Sequence, residues 1–515
     1  MIIDRLLPQV KKIELLDGFI NLRPKISLIA NTPSIDVAQR ISQTYNAIFN
    51  EPTLSENAPS TNPVCLIVDD QLGIDAEAYF LEINLSGINI TASRPMGLYY
   101  GVQTLLQFLP VEVYANRWSE ESWRLPCMRI QDEPRFIWRG AMLDVSRHFM
   151  PKEFIFKFLD LLAMHKHNSF HWHLTDDQGW RIEIRKYPKL TEVGSRRACT
   201  LIGHNSERPR GYDATPYKGF YTQDEIREVV KYAADRYTAI IPEIDMPGHM
   251  QAAIAAYPQL GNLNAQLEPL CHWGISPHIL NPQQSTIRFM QDVLDEVIEL
   301  FPGEYIHVGG DEAVKTEWAE SRVAQQRMYD LGLHSEAELQ SWFIQQMDIH
   351  LAAYGRKLIG WDEILEGGLP QRVTVMSWRG FEGAVEAARL GHDAVVAPES
   401  HVYFDHYQTN DRDNEPLAIG GYTSLEKVYN FEPIPERLAS ELAYHIMGSQ
   451  CQLWTEYIPT SDHVEYMAFP RLCALAEVLW SPRDQRDDFE RFKTRLKLHL
   501  QRLDMRHVKY HQLDT

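Results

Sequence analysis

The sequence predicts an α/β protein in which a (β/α)8 TIM barrel is preceded by a small α+β domain. Between Trp138 and Trp480, eight apolar strand-like runs alternate with amphipathic helical stretches, the pattern of parallel strands joined by crossover helices. Two connections, 176–221 and 250–285, are long and follow strands. A barrel builds its ligand face from such loops, and loops of that length are uncommon unless functional. The competing doubly wound sheet lacks its signature, because no glycine-rich dinucleotide fingerprint follows the first strand.

Taken in order, residues 1–130 read as the small domain and 131–515 as the barrel with a last helix. Val64 to Val68 is strand-like, and Tyr79 to Thr91 reads as a hairpin turning at Ser86-Gly87. In it Leu81, Ile83 and Leu85 alternate with Phe80, Glu82 and Asn84, which gives one buried face. Pro95 suits the start of a helix whose stripe is Leu98, Val102, Leu105 and Leu106. A polar, Trp-containing segment from Glu112 to Pro126 links the two parts. The expected barrel strands are Gly140–Val145, Ser169–Leu174, Ala239–Ile244, Tyr305–Val308, Lys357–Gly360, Val373–Ser377, Ala394–Ala397 and His445–Leu453. Helices are expected over Glu153–Met164, Thr222–Arg236, Thr286–Leu300, Glu336–Ala353 and Gly383–Leu390, and a final one over Phe489–Asp504 on the outside.

Composition narrows the function. The net charge of -20 argues against nucleic acid, which requires clustered basic residues. The 12 Trp, 23 Tyr and 20 Phe suit flat-faced ligands such as carbohydrates, although a large core also uses them. The six cysteines are scattered with no metal-ligand spacing, so free thiols are expected rather than a disulfide framework. Residues Met1 to Val10 do not form a signal peptide, and no apolar run reaches the ~20 residues of a membrane span. A cytoplasmic protein with no membrane partner is the expectation.

The chemistry centres on His307-Val308-Gly309-Gly310-Asp311-Glu312. Two adjacent carboxylates cannot both ionise freely, so a partly desolvated one should hold a proton near neutral pH and serve as a general acid. The structural alternative is a strand-to-helix junction in which Asp311 caps a helix begun by Ala313.

Other strand ends shift the balance. The segments Arg139 to His148, His171 to Trp180, Pro242 to His249, Gly360-Trp361-Asp362-Glu363, Met376-Ser377-Trp378, Tyr403-Phe404-Asp405 and Leu453-Trp454-Thr455-Glu456, with the central hexapeptide, resemble the β-N-acetylhexosaminidases of glycoside hydrolase family 20. The resemblance spans the barrel, and the N-terminal domain ending in Tyr100 to Leu106 is similar to that family's small non-catalytic domain. No catalytic position departs from the pattern.

This resemblance implies a retaining exo-β-N-acetylhexosaminidase acting on terminal β-linked N-acetylglucosamine, with N-acetylgalactosamine as the alternative sugar, in oligosaccharides or glycoconjugates, with no metal or organic cofactor. It implies Glu312 as acid and then base, Asp311 as holder of the acetamido N–H, and Tyr403 as donor to the acetamido carbonyl. The substrate's own acetamido group supplies the nucleophile. Trp361, Trp378 and Trp454 would wall the pocket, and Arg139, Asp405 and Glu456 would bind hydroxyls. Asp176 and His249 would tune Glu312. Arg139 is equally suited to a structural salt bridge under the barrel.

Two rival functions remain at this point. His171 and His173, at i and i+2 on one strand face, could join His249 as ligands in a metal-dependent hydrolase, although hydrogen-bonded barrel histidines are the plainer reading. A non-catalytic carbohydrate-binding barrel would keep the tryptophans and lose the acid.

Overall fold

The computed structural model describes residues 2–54, 62–118, 122–263, 265–370, 372–486 and 488–513. The N-terminal part forms a sheet of seven strands: β1 (Lys12–Leu22), β2 (Leu28–Ala30), β3 (Thr53–Leu54), β4 (Val64–Val68), β5 (Tyr79–Asn84), β6 (Gly87–Ala92) and β7 (Trp123–Asp132). Their order is β1-β7-β5-β6-β4-β2-β3. The expected hairpin is β5 paired antiparallel to β6, with Asn84 opposite Gly87. Tyr79, Leu81 and Ile83 face the core, but Leu85 is 70% exposed. It belongs to the two-residue turn, where the strand alternation no longer applies. The helix Pro95–Phe108 packs on this face. A Cβ on Gly97 would come within 2.3 Å of Ala78 O, so only glycine permits that approach. In the expected linker, residues 119–121 lie outside the described part, and Trp123 already opens β7.

The eight barrel strands are Trp138–Asp144, Ser169–His173, Ala239–Glu243, Tyr305–His307, Lys357–Trp361, Thr374–Ser377, Ala394–Val396 and Ile446–Leu453. They close in chain order, the eighth pairing parallel to the first. Each matches its expected run within a few residues. These strands are buried on both faces, which is why they read as apolar runs without strict alternation. The expected helices form at Lys152–Met164, Gln223–Ala234, Gln284–Leu300, Glu336–Ala353 and Glu382–Arg389. The second carries a Thr222/Glu225 capping box that satisfies its first free N–H groups.

Buried ion pairs join the two parts. Asp132, the last residue of β7, accepts from Tyr79 Oη at 2.5 Å, Lys166 Nζ at 3.0 Å and Trp480 Nε1 at 2.9 Å. The final helix, Phe489–Met505, lies against the N-terminal segment. Arg495 donates to Leu6 O and to Glu477, and Arg502 donates to Gln107 Oε1 at 3.0 Å. Among the described residues, no helix is long and apolar enough to cross a membrane.

Candidate active site

All eight strand ends deliver side chains to one face of the barrel. A cavity of about 250 Å³ there is lined by Arg147, His249, Asp311, Glu312, Trp361, Trp378, Tyr403, Asp405, Trp454 and Glu456, with Glu399, His406 and residues 419–421 at its edge. Asp176, beyond the second strand, lies one layer deeper against His249 and Arg147. A larger cavity of about 880 Å³ lies beside helix Glu382–Arg389, and none of these strand-end residues lines it.

The carboxylate pair leaves the fourth strand through glycines that the geometry requires. A Cβ on Gly309 would sit 1.8 Å from Asp245 Oδ1, and both Gly309 and Gly310 have positive φ. Glu312 itself has φ 46°, a left-handed conformation costly for a side-chain residue and found where function holds it in place. No helix begins at Ala313; the next starts at Thr316, so Asp311 is not a helix cap.

Burial is divided unevenly within the pair. The Asp311 side chain is 12% exposed and that of Glu312 34% exposed. Of the two carboxylates, Asp311 is therefore the more desolvated. Burial pushes the Asp311 carboxyl up to about 6, with Glu243 and Glu312 adding to the rise and His249 opposing it.

His249 connects the pair to the interior. Its Nδ1 lies 3.2 Å from Asp176 Oδ1 and 3.3 Å from Asp177 Oδ2, while Nε2 lies 3.4 Å from Glu312 Oε2 and 3.6 Å from Asp311 Oδ2. Burial alone would lower its pKa, but Asp176, Asp177 and Asp311 outweigh that and hold the ring well above its ordinary value. Asp176 also accepts from His173 Nε2 at 2.9 Å and pairs with Arg147 Nη2 at 2.8 Å. Burial would raise Asp176, but these cations hold it well below the usual carboxylate range. A buried relay of alternating charge thus runs from the barrel core to Glu312.

The histidine pair on the second strand is part of that core. His173 Nδ1 bonds Glu243, His171 Nε2 lies 3.0 Å from Glu243 Oε2, and Trp361 Nε1 donates to Glu243 Oε1 at 2.8 Å. Burial takes His171 down to about 4, whereas Glu243 and Asp176 overcome burial at His173 and raise it well above the ordinary value. Among the described residues His171, His173 and His249 do not come together as one ligand set. The first two turn to Glu243 and the third to the carboxylates of the pocket.

Arg139 requires a correction. It lies at the opposite end of the first strand, 1% exposed, and donates to Glu77 at 2.9 and 2.6 Å and to the carbonyls of Phe136 and Lys166. It ties the N-terminal domain to the barrel floor and does not reach the pocket. The guanidinium in the pocket belongs to Arg147, which pairs with Asp144 at 3.1 Å and lies 3.7 Å from Glu456. Burial lowers its pKa, but Asp176, Glu456 and Asp144 more than restore it, so Arg147 stays charged. Sequence reasoning missed Arg147, and its signal was the Asp144-to-Arg147 step just past a strand end.

Glu243, Asp245 and Glu363 were also missed as site residues. Glu363 accepts from Trp378 Nε1 at 2.9 Å, and burial followed by Asp311 pushes it up to about 8. Trp361, Trp378, Tyr403, Asp405, Trp454 and Glu456 line the same cavity. Trp361 lies 5.8 Å from Trp454, and Trp378 stacks with Tyr403 at 6.2 Å. Burial, with Asp405 adding to it, lifts the Tyr403 phenol well above its usual value, so it remains a hydrogen-bond donor.

Three buried oxygens in the pocket, Asp311 Oδ1, Asp405 Oδ1 and Glu456 Oε2, have no hydrogen-bond partner within the protein. Unsatisfied buried acceptors are costly and rare unless a ligand supplies the donors. A pocket with aromatic walls, one donor phenol and three such acceptors suits a molecule rich in hydroxyl and amide N–H groups.

A (β/α)8 barrel whose strand ends converge on paired carboxylates inside a tryptophan-walled pocket is a scaffold suited to acid–base chemistry on a sugar-like ligand. Residues 136–483 match the glycosyl hydrolase family 20 catalytic domain and residues 4–133 match domain 2 of that family. The chain belongs to glycosyl hydrolase family 20. A beta-hexosaminidase of Porphyromonas gingivalis is 47% identical over 88% of the chain, which spans 57% of that relative's length. The exo beta-N-acetylglucosaminidase of Vibrio harveyi, solved with N-acetylglucosamine, superposes with a TM-score of 0.84 at 32% identity, covering 99% of this chain and 78% of that one. The beta-N-acetylhexosaminidase of Streptomyces coelicolor gives 0.85 at 28% identity, covering 100% and 98%.

Proposed function

We propose that this protein is a retaining exo-β-N-acetylhexosaminidase that removes terminal β-linked N-acetylglucosamine, and N-acetylgalactosamine where the 4-hydroxyl is accommodated, from oligosaccharides or glycoconjugates. The observation that carries the reading is the buried, unpartnered Asp311 Oδ1 beside Glu312, facing a pocket walled by Trp361, Trp378 and Trp454. In the first step Glu312 gives its proton to the glycosidic oxygen. The acetamido carbonyl oxygen attacks the anomeric carbon as the bond to the leaving group breaks, giving an oxazolinium ion. The Asp311 carboxylate accepts the acetamido N–H and faces the positive charge that develops, while the Tyr403 hydroxyl donates to the attacking carbonyl oxygen.

In the second step the Glu312 carboxylate takes a proton from water, which attacks the anomeric carbon and expels the acetamido oxygen. Two inversions leave the β-configuration unchanged. A tethered nucleophile of this kind reaches effective molarities of roughly 10⁵–10⁸ M, so the protein need not supply its own. Asp405, Glu456 and Arg147, which line the pocket, are suited to the hydroxyls of a terminal sugar, in keeping with the exo action proposed. The Glu243–His173–Asp176–His249 relay holds a cationic ring against Glu312 and orients it.

The test compares hydrolysis of an aryl β-N-acetylglucosaminide, the matching galactosaminide and an aryl β-glucoside. Cleavage of the acetamido sugars alone is expected. Comparable cleavage of the glucoside would overturn the substrate-assisted route.

A further inference from the structure

Two of the six cysteines, Cys199 and Cys271, lie on the two long loops beyond the second and third barrel strands, and their thiols are near enough for Cys271 to raise the Cys199 pKa. Backbone pairing supports the contact, since Leu201 N donates to Cys271 O at 2.8 Å. Both residues are partly accessible, whereas Cys127, Cys451 and Cys473 are buried. From this juxtaposition we infer that Cys199 and Cys271 form a reversible disulfide that clamps the two loops and steadies Arg147 in the pocket.

Each cysteine lies close in sequence to a group that holds Arg147. Arg197 Nη1 donates to Arg147 O at 2.6 Å. On the other loop, His272 O accepts from Gln178 Nε2 at 3.0 Å, and Gln178 Oε1 accepts from Arg147 Nε at 2.9 Å. Trp273 stacks under the Arg197 guanidinium, 5.3 Å from its centre. A covalent link at 199–271 therefore restrains both arms of the Arg147 support.

The oxidant is a small-molecule disulfide such as glutathione disulfide. One cysteine, as thiolate, attacks it, forms a mixed disulfide and releases one glutathione thiol. The second cysteine then attacks the mixed disulfide at the protein sulfur and releases the other. The pair loses two electrons and two protons, and the oxidant's sulfur–sulfur bond is reduced to two thiols. Burial and the neighbouring thiol hold Cys199 up at about 11, so exchange at neutral pH is slow and accelerates in mild alkali.

The experiment incubates the folded protein with excess glutathione disulfide, alkylates in denaturant and digests without reductant. Two of the six thiols are expected to disappear, with a peptide linking Cys199 to Cys271, and both return after dithiothreitol. Six alkylated thiols, or a glutathione adduct that does not resolve to the linked peptide, would overturn the proposal. The steadying of Arg147 rests on the sugar-pocket reading above and has its own readout. Oxidised protein should show at least a two-fold lower KM for the aryl β-N-acetylglucosaminide at unchanged kcat, an effect absent in Cys199→Ser. An unchanged KM in fully cross-linked protein overturns the coupling to Arg147 and leaves the thiol result standing. Because the thiol measurement needs no substrate, its failure and failure of the sugar reading are distinguishable.

Discussion

Replacing Asp311 by Asn separates charge from shape at the centre of the site. The variant keeps an acceptor oxygen where Asp311 Oδ1 stands unpartnered, but cannot carry a negative charge. Facing a unit positive charge at roughly 4 Å in surroundings of effective dielectric about 20, the carboxylate contributes about 4 kcal/mol. Part of that remains in the neutral hydrogen bond, so a loss of about 3–4 kcal/mol in the transition state is expected, or about 10²–10³-fold in kcat. The pH dependence gives a second signature. Asp311 must be ionised to act, and its carboxyl sits up at about 6. In the wild type kcat/KM should therefore fall as pH drops through about 6, and that acidic limb should vanish in Asp311→Asn.

Stability moves in the opposite direction. A carboxyl raised from 3.8 to about 6 in the folded state burdens the fold wherever it is ionised. The burden is absent below the unfolded pKa, grows between pH 3.8 and 6, and reaches up to about 3 kcal/mol above that. Asp311→Asn removes it, so at pH 7.5 the variant should melt no lower than the wild type while losing turnover. Assays of an aryl β-N-acetylglucosaminide from pH 4 to 8, with melting curves of both proteins, test both halves. An acidic limb that persists in the variant, or a loss under five-fold, would refute the role given to Asp311.

Glu312→Gln should abolish most turnover of glycosides with poor leaving groups and spare activated aryl glycosides by comparison; equal losses on both would remove Glu312 as the acid. Tyr403→Phe deletes one donor to the developing oxazolinium and should lower kcat about 10²-fold with little change in KM, a split read from saturation curves. Arg139→Met leaves Glu77 without its partner and should destabilise by about 3 kcal/mol at unaltered KM; a ten-fold rise in KM at unchanged melting temperature would return Arg139 to the site. Gly309→Ala forces a Cβ to within 1.8 Å of Asp245 Oδ1 and should cost both activity and several degrees of melting temperature, whereas full activity would deny the close approach its importance.

The fold is largely legible in the amino-acid sequence. Barrel strands buried on both faces produce short apolar runs, and the helices between them need one apolar stripe, so both periods are written locally. The residues beyond each strand end are legible for the same reason, because a strand of known direction puts its next loop on the ligand face. That logic points to Asp311, Glu312, Trp361, Trp378 and Trp454, the family resemblance adds Tyr403, Asp405 and Glu456, and all eight line one pocket.

Only the tertiary structure decided between Arg139 and Arg147, which lie at opposite ends of one strand. The choice depends on Glu77, which comes from another domain, and on Asp176, which comes from the next loop. Partners so distant in sequence leave no periodic trace. The division of burial within the Asp311-Glu312 pair was also beyond local reading, since solvent exposure is set by walls from the other strands. The sequence determined which side chains the barrel presents. Packing determined which of them is charged, because desolvation and the fields of remote neighbours exist only once the chain has closed.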